Sequence, residues 1–187
     1  MPSSVVALSA VTSVVVLMLA GCDSSSPSVA GNADSTTVTA SPIETADPSA
    51  GLWDPCAGMP ADVLAANGVN PVRGKYSQGV PIRGWKRCGW LGDWFNLSVL
   101  TTHHTIDELK ASGSYSDIHS VTIGDRVGTM DHQSVTDYSK ECTISLPTQN
   151  GMVEVMVNLS QVDGGPERDL CAKATELATA FLPYLPK

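Results

Sequence analysis

Residues 141–160 read Glu141-Cys142-Thr143-Ile144-Ser145-Leu146-Pro147-Thr148-Gln149-Asn150-Gly151-Met152-Val153-Glu154-Val155-Met156-Val157-Asn158-Leu159-Ser160. Asn-Gly is the strongest short signal for a β-hairpin, because both residues tolerate the positive φ of a tight turn. On its N-terminal side Ile144 and Leu146 share one face. On its C-terminal side Val153, Val155, Val157 and Leu159 do the same. A period of two means a strand with one buried face, so Glu141 to Leu146 and Met152 to Ser160 are expected to pair.

Two further pairs precede this hairpin. Gly92-Asp93 separates Gly84 to Leu91 from Trp94 to Thr101, where Phe95, Leu97 and Val99 alternate with Asn96 and Ser98. Gly124-Asp125 separates Ile118 to Ile123 from Arg126 to Met130, and Gly at the first turn position suits a type II′ hairpin. Three helices accompany the strands. Pro60 to Ala66 opens on proline and stops at Asn67-Gly68, with a poor cap because Gly58 and Met59 precede it. Ile106 to Ser112 is a second, with Asp107 and Glu108 in its positive first turn. The last begins at Pro166 with Glu167 and Asp169 in its first turn, recurs at Leu170, Ala174, Leu177, Ala178 and Phe181, and ends at Pro183. The order α-β-β-α-β-β-β-β-α predicts an α+β domain over residues 56–187. It is an antiparallel sheet of about five to six strands with helices packed on one face.

The chain of 187 residues has room for one ordinary domain and little more. Its net charge of -8 argues against a nucleic-acid partner, which requires clustered cations. The charge is unevenly spread. Residues 23–55 hold Asp23, Asp34, Glu44, Asp47 and Asp54 without Lys or Arg, among eleven Ser or Thr and four Pro. Such a composition buries no face, so residues 22–55 are expected to form a lipidated Cys followed by a disordered tether.

Val5 to Ala20 is an apolar run of 16 residues, short for a membrane span of about 20 but suited to a signal peptide over residues 1–21. It ends in Leu19-Ala20-Gly21-Cys22, which resembles the bacterial lipobox read by lipoprotein signal peptidase. The resemblance implies recognition through Leu19, Ala20 and Gly21 and diacylglyceryl attachment to the Cys22 thiol. Lipid anchoring on the outer face of the cytoplasmic membrane follows from it.

Cys56, Cys88, Cys142 and Cys171 remain, and four cysteines allow three pairings. Outside the cytoplasm they are expected to be oxidised. Cys88 and Cys142 both point into the core from strands, while Cys56 and Cys171 lie beside the first and last helices. The expected bridges are therefore Cys88 with Cys142 and Cys56 with Cys171. No CxxC pair supports a zinc site, so no metal and no cofactor are expected.

Taken in order, Asp54-Pro55-Cys56, Cys88-Gly89-Trp90, Gly124 to Gly128, Cys142, and Cys171-Ala172 with Leu177-Ala178 and Leu182-Pro183 resemble an actinobacterial family of mycobacterial and nocardial lipoproteins. These lipoproteins share a DPC-containing domain of unknown function. The resemblance spans Asp54 to the C-terminus together with the lipobox. It implies an envelope lipoprotein and carries over no catalytic residue.

Candidate chemistry is sparse. His103-His104, His119 and His132 lack metal-ligand spacing, and Asp131, His132 and Ser134 are too crowded in sequence for a hydrolytic triad. Asn96-Leu97-Ser98 and Asn158-Leu159-Ser160 match glycosylation sequons but fall in strands. Arg73, Lys75, Arg83, Lys86 and Arg87 put five of eleven cations into 15 residues, a strip able to meet an anionic envelope component or a protein partner. The reading is a membrane-anchored, non-enzymatic binding module. The second reading is a carrier of a small ligand or lipid, or an envelope enzyme. Its pocket would lie between sheet and helices, lined by Trp90, Trp94 and Phe95.

Overall fold

The computed structural model describes residues 46–72, 82–134, 140–160 and 168–187. Its frame is a six-stranded antiparallel sheet built from β1 (Trp85–Leu91), β2 (Phe95–Thr102), β3 (Tyr115–Ile123), β4 (Arg126–Gln133), β5 (Glu141–Thr148) and β6 (Gly151–Leu159). Spatial order is β1-β2-β6-β5-β4-β3, so each predicted hairpin is present and the first is joined to the third by β2 against β6. In the last hairpin Ile144 lies opposite Val155 and Leu146 opposite Val153, which brings the alternating apolar residues onto one face. The turn itself is shifted by one residue. Thr148 pairs with Gly151, so Gln149 and Asn150 form the loop and Gly151 takes a φ of 133° at the start of β6.

The helices are α1 (Pro55–Gly58), α2 (Ala61–Ala66), α3 (Ile106–Ala111) and α4 (Leu170–Phe181), the last followed by a 3₁₀ turn over Leu182–Tyr184. Asp54-Pro55-Cys56 is a helix start in three residues. The Asp54 carboxylate accepts from the Cys56 amide at 2.8 Å, proline opens α1, and Cys56 follows. In α2 Pro60 is the N-cap and makes no side-chain capping bond. In α3 Thr105 and Glu108 form a reciprocal capping box, a stronger device than the macrodipole compensation the sequence announced. The last helix begins later than expected. Asp169 is its N-cap and accepts from the Ala172 amide at 2.8 Å, while Pro166 and Glu167 fall outside the described residues.

Cys88, Trp90, Leu97, Val99, Val153, Val155, Val157, Cys142, Ile144 and Leu146 line one face of the sheet and join Leu170, Ala174, Leu177, Ala178 and Phe181 of α4 in a single core. Burying an aliphatic or aromatic side chain of this kind contributes about 1.5 to 3 kcal/mol. Two disulfides fix helices to this face. They are Cys56–Cys88, from α1 to β1, and Cys142–Cys171, from β5 to α4. The expected pairs, Cys88 with Cys142 and Cys56 with Cys171, do not form. β2 and β6 stand between β1 and β5, which puts Cys88 and Cys142 three strand spacings, roughly 14 Å, apart. A disulfide spans only about 4.4 to 6.8 Å between Cα atoms.

The fold also begins earlier than residue 56. Leu52 is buried, its carbonyl accepts from Lys86 Nζ at 2.6 Å, and the Trp53 carbonyl accepts from Thr101 Oγ1 at 2.7 Å. Residues 46–55, read as the end of the tether, are thus part of the domain, because Leu52 and Trp53 supply the apolar surface that the rest of the tether lacks. Among the described residues no helix is long and apolar enough to cross a membrane.

Candidate functional site

Strand β4 sends alternate side chains to opposite faces of the sheet. Thr129 and Asp131 go to one face, Met130 and His132 to the other. A distinct group of side chains gathers on each.

The face away from the main core is polar yet closed. Asp131, Glu141 and Glu154 are at most 1% exposed, with Ser98, Thr129, Thr143 and Ser145 buried around them. Thr129 Oγ1 and Ser145 Oγ donate to Asp131 Oδ2 at 2.7 and 3.2 Å. The Gln133 amide donates to Glu141 Oε2 at 2.8 Å, and the Thr143 hydroxyl donates to Glu141 Oε1. Tyr115 reaches this face from the far edge strand, and its hydroxyl donates to Glu154 Oε1 at 2.7 Å. Strands β4 and β5 lie between β3 and β6 in the sheet. The start of β3 therefore folds back over the face, helped by a bulge between Ser116 and His119 where Asp117 takes a φ of 51°.

Burial governs the protonation of this cluster. It pushes Glu154 up to about 8 and Asp131 up to about 6, against the partial relief of their hydroxyl donors. Tyr115 is also raised, by burial first and then by Glu154. Asp131 Oδ1 is buried and makes no hydrogen bond. Burial thus favours the protonated form of Glu154, which accepts from Tyr115.

On the other face His132, 8% exposed, packs against the second disulfide. Its Nδ1 lies 2.6 Å from the Glu141 carbonyl, which only accepts, so Nδ1 carries a proton and Nε2 presents its lone pair in the neutral ring. Nε2 is 3.9 Å from Cys171 Sγ and 4.0 Å from Asp117 Oδ2. The ligand atoms of His132, Cys142 and Cys171 lie within 4.8 Å of one another. With the sulfurs joined, this is a packing contact.

The residues singled out in the sequence are dispersed. Leu19, Ala20, Gly21, Cys22, Arg73 and Lys75 lie outside the described residues. Arg83 is exposed. Lys86 and Arg87 are consecutive on β1, so they project to opposite faces. Lys86 is held by the Leu52 carbonyl, and Arg87 donates to Ser98 Oγ at 3.0 Å. These two cations do not form one strip. Asp131 and His132 likewise face apart, and Ser134 donates to the Gly113 carbonyl at 3.0 Å, which separates the three letters of a triad. His103 bridges the carbonyls of Asn150 and Ala50, and His119 meets Asp117 at 2.9 Å. Trp90 and Phe95 belong to the core, where Trp94 meets Phe95 edge-on at 5.2 Å beneath Arg168.

The corner of His132 with Cys142 and Cys171 was missed in the sequence. A signal for half of it existed. Asp131 pairs with Thr143, so the next step of the same antiparallel ladder sets His132 beside Cys142. The third member is supplied by α4, whose partner strand no local pattern announces.

A family model described as a protein of unknown function, DUF3558, matches residues 17–184. No curated protein and no solved structure matches the chain.

Proposed function

The chain belongs to the DUF3558 family of proteins of unknown function, and we propose that it is an exported lipoprotein that works by binding rather than by catalysis. Lipid on Cys22 holds it at the outer face of the cytoplasmic membrane. The observation that carries this reading is the state of the cysteines. Once Cys22 is set aside for lipid, all four others are joined in two bridges, which suits an oxidising compartment. The apolar run ending in Leu19-Ala20-Gly21-Cys22 supplies the matching address. The actinobacterial envelope is the setting that the order of motifs favours.

The anchor is tested by Cys22→Ala in the host cell. The wild-type chain is expected in the detergent phase on phase partitioning and the variant in the aqueous phase. Detergent partitioning of the mature variant would sink the assignment. For the binding role, the exposed Arg83 and Arg87 are the described cations best placed to meet an anionic envelope polymer. R83E combined with R87E is expected to reduce co-sedimentation with such a polymer severalfold at low salt, and unchanged co-sedimentation would remove these arginines from the contact.

A further inference from the structure

We propose that a cavity on the face of the sheet away from the main core, bounded by α3 and the first residues of β1, β3 and β6, binds the alkylated ammonium group of a small organic cation. The cavity encloses about 220 Å³. That is below the roughly 300 to 1,000 Å³ of a pocket for a whole drug-sized ligand, and it suits a compact head group. Buried Leu109 and Met152 form its floor, half-buried Trp85 and Tyr115 its walls, and exposed His104 and Glu108 its mouth.

The strand register explains why these groups meet. Thr102 of β2 lies opposite Trp85 on one side and Met152 on the other, so Trp85 and Met152 share a face two strands apart. Glu154 follows Met152 on that face by the two-residue alternation of a strand. The Tyr115 hydroxyl donates to Glu154 Oε1 at 2.7 Å, which holds Tyr115 over the same part of the sheet. Leu109 comes from α3, which follows β2 after a short loop. Leu109 and Met152 are buried outside the main core cluster, so they pack at a separate place.

Three observations select a cation. The first is the rings. Trp85 and His104 stand 6.2 Å apart between centroids, inclined at 43°, and Tyr115 joins them in the lining. Aromatic faces attract cations, tryptophan most strongly, and alkylated ammonium groups are the ligands that such cages recognise. A phenol that donates its proton to a carboxyl is polarised toward a more electron-rich ring. The second observation is charge. Among the described residues that line the cavity there is no Lys or Arg, and the Thr105 amide and hydroxyl hold the Glu108 carboxyl below its usual range, which keeps it ionised. The third is availability. The capping bonds to Thr105 and the 3.7 Å approach of His104 Nδ1 all use Glu108 Oε2, which leaves Oε1 for a ligand. An anion would meet like charge at this mouth, and an uncharged ligand would gain little from the carboxylate.

The test titrates the full chain calorimetrically with choline, beside the uncharged isostere in which a tert-butyl group replaces the trimethylammonium. One choline per chain is expected, with the isostere bound about tenfold more weakly. W85L and E108Q are each expected to weaken choline binding about fivefold. E108Q keeps the capping box, because Gln fills that place as Glu does. W85F and Y115F retain a ring and are expected to keep most of the affinity. A free cation and a lipid headgroup share this chemistry, and glycerophosphocholine separates them. Binding equal to that of choline assigns the site to the headgroup, and binding of choline alone assigns it to a free cation. Absence of choline binding, equal binding of the isostere, or unchanged choline affinity in W85L overturns the proposal. Where W85L fails to fold, unchanged choline affinity in E108Q decides against it in the same way.

Discussion

Glu154 makes the stability of the protein depend on pH in an unusual direction. Its ordinary value is near 4.5, and burial raises it to about 8 in the fold. The native state therefore favours the proton, and this contribution is complete below about pH 4.5 and lost as pH rises through about 8. Asp131, raised to about 6, acts in the same sense over a lower window. Melting temperatures are thus expected to fall between pH 5 and pH 8.5, and Glu154→Gln to flatten that fall. A wild-type profile that rises over this range would refute the neutral carboxyl. The capping box behaves differently, because the Thr105 amide and hydroxyl hold the Glu108 carboxyl below its usual range. Thr105→Ala leaves the Glu108 amide without its side-chain partner and is expected to cost about 1 kcal/mol in urea unfolding. A measured change under a few tenths of a kcal/mol would mean that α3 is held by Leu109 alone.

Within the elements, α4 and β4 carry the firmest consequences. Phe181 is fully buried at the end of α4, and Phe181→Ala is expected to cost about 3 to 5 kcal/mol by chemical denaturation. Gly128 in β4 sits so close to β5 that a Cβ there would lie 2.1 Å from the Ser145 carbonyl. Gly128→Ala is therefore expected to destabilise by about 1 to 3 kcal/mol although it removes no contact. A neutral Gly128→Ala in the same assay would show that β4 and β5 shift apart freely. The six strands were legible because each hairpin is announced by residues adjacent in sequence, Gly92-Asp93, Gly124-Asp125 and Asn150-Gly151. The pairing of β2 with β6 was not, since Val99 against Val155 is a contact between residues far apart in the chain. The same blindness concealed the acidic face. Glu154 interrupts Val153 and Val155 as an outward polar residue would, and its burial depends on groups such as Tyr115 that reach that side from elsewhere in the chain.

At the scale of the whole molecule, the cysteine pairing depends on that hidden strand order. Facing and depth were read correctly for Cys88 and Cys142, but neither says which strands lie between them. The observed bridges close loops of 32 and 29 residues that do not overlap. In the loop-entropy picture each contributes roughly 3.5 to 4 kcal/mol. Because no segment is shared, removing both pairs is expected to destabilise by about the sum of the single removals. A pronounced shortfall in guanidinium denaturation would indicate residual order in the unfolded chain. The connectivity also makes the two halves of the covalent frame independent of each other. Among Cys56, Cys88, Cys142 and Cys171, first joins second and third joins fourth, so each bridge closes within its own stretch of chain. Of the three possible pairings of these four cysteines, this is the one in which each bridge joins neighbours in the chain, so neither bridge has to wait for the other's segment to fold.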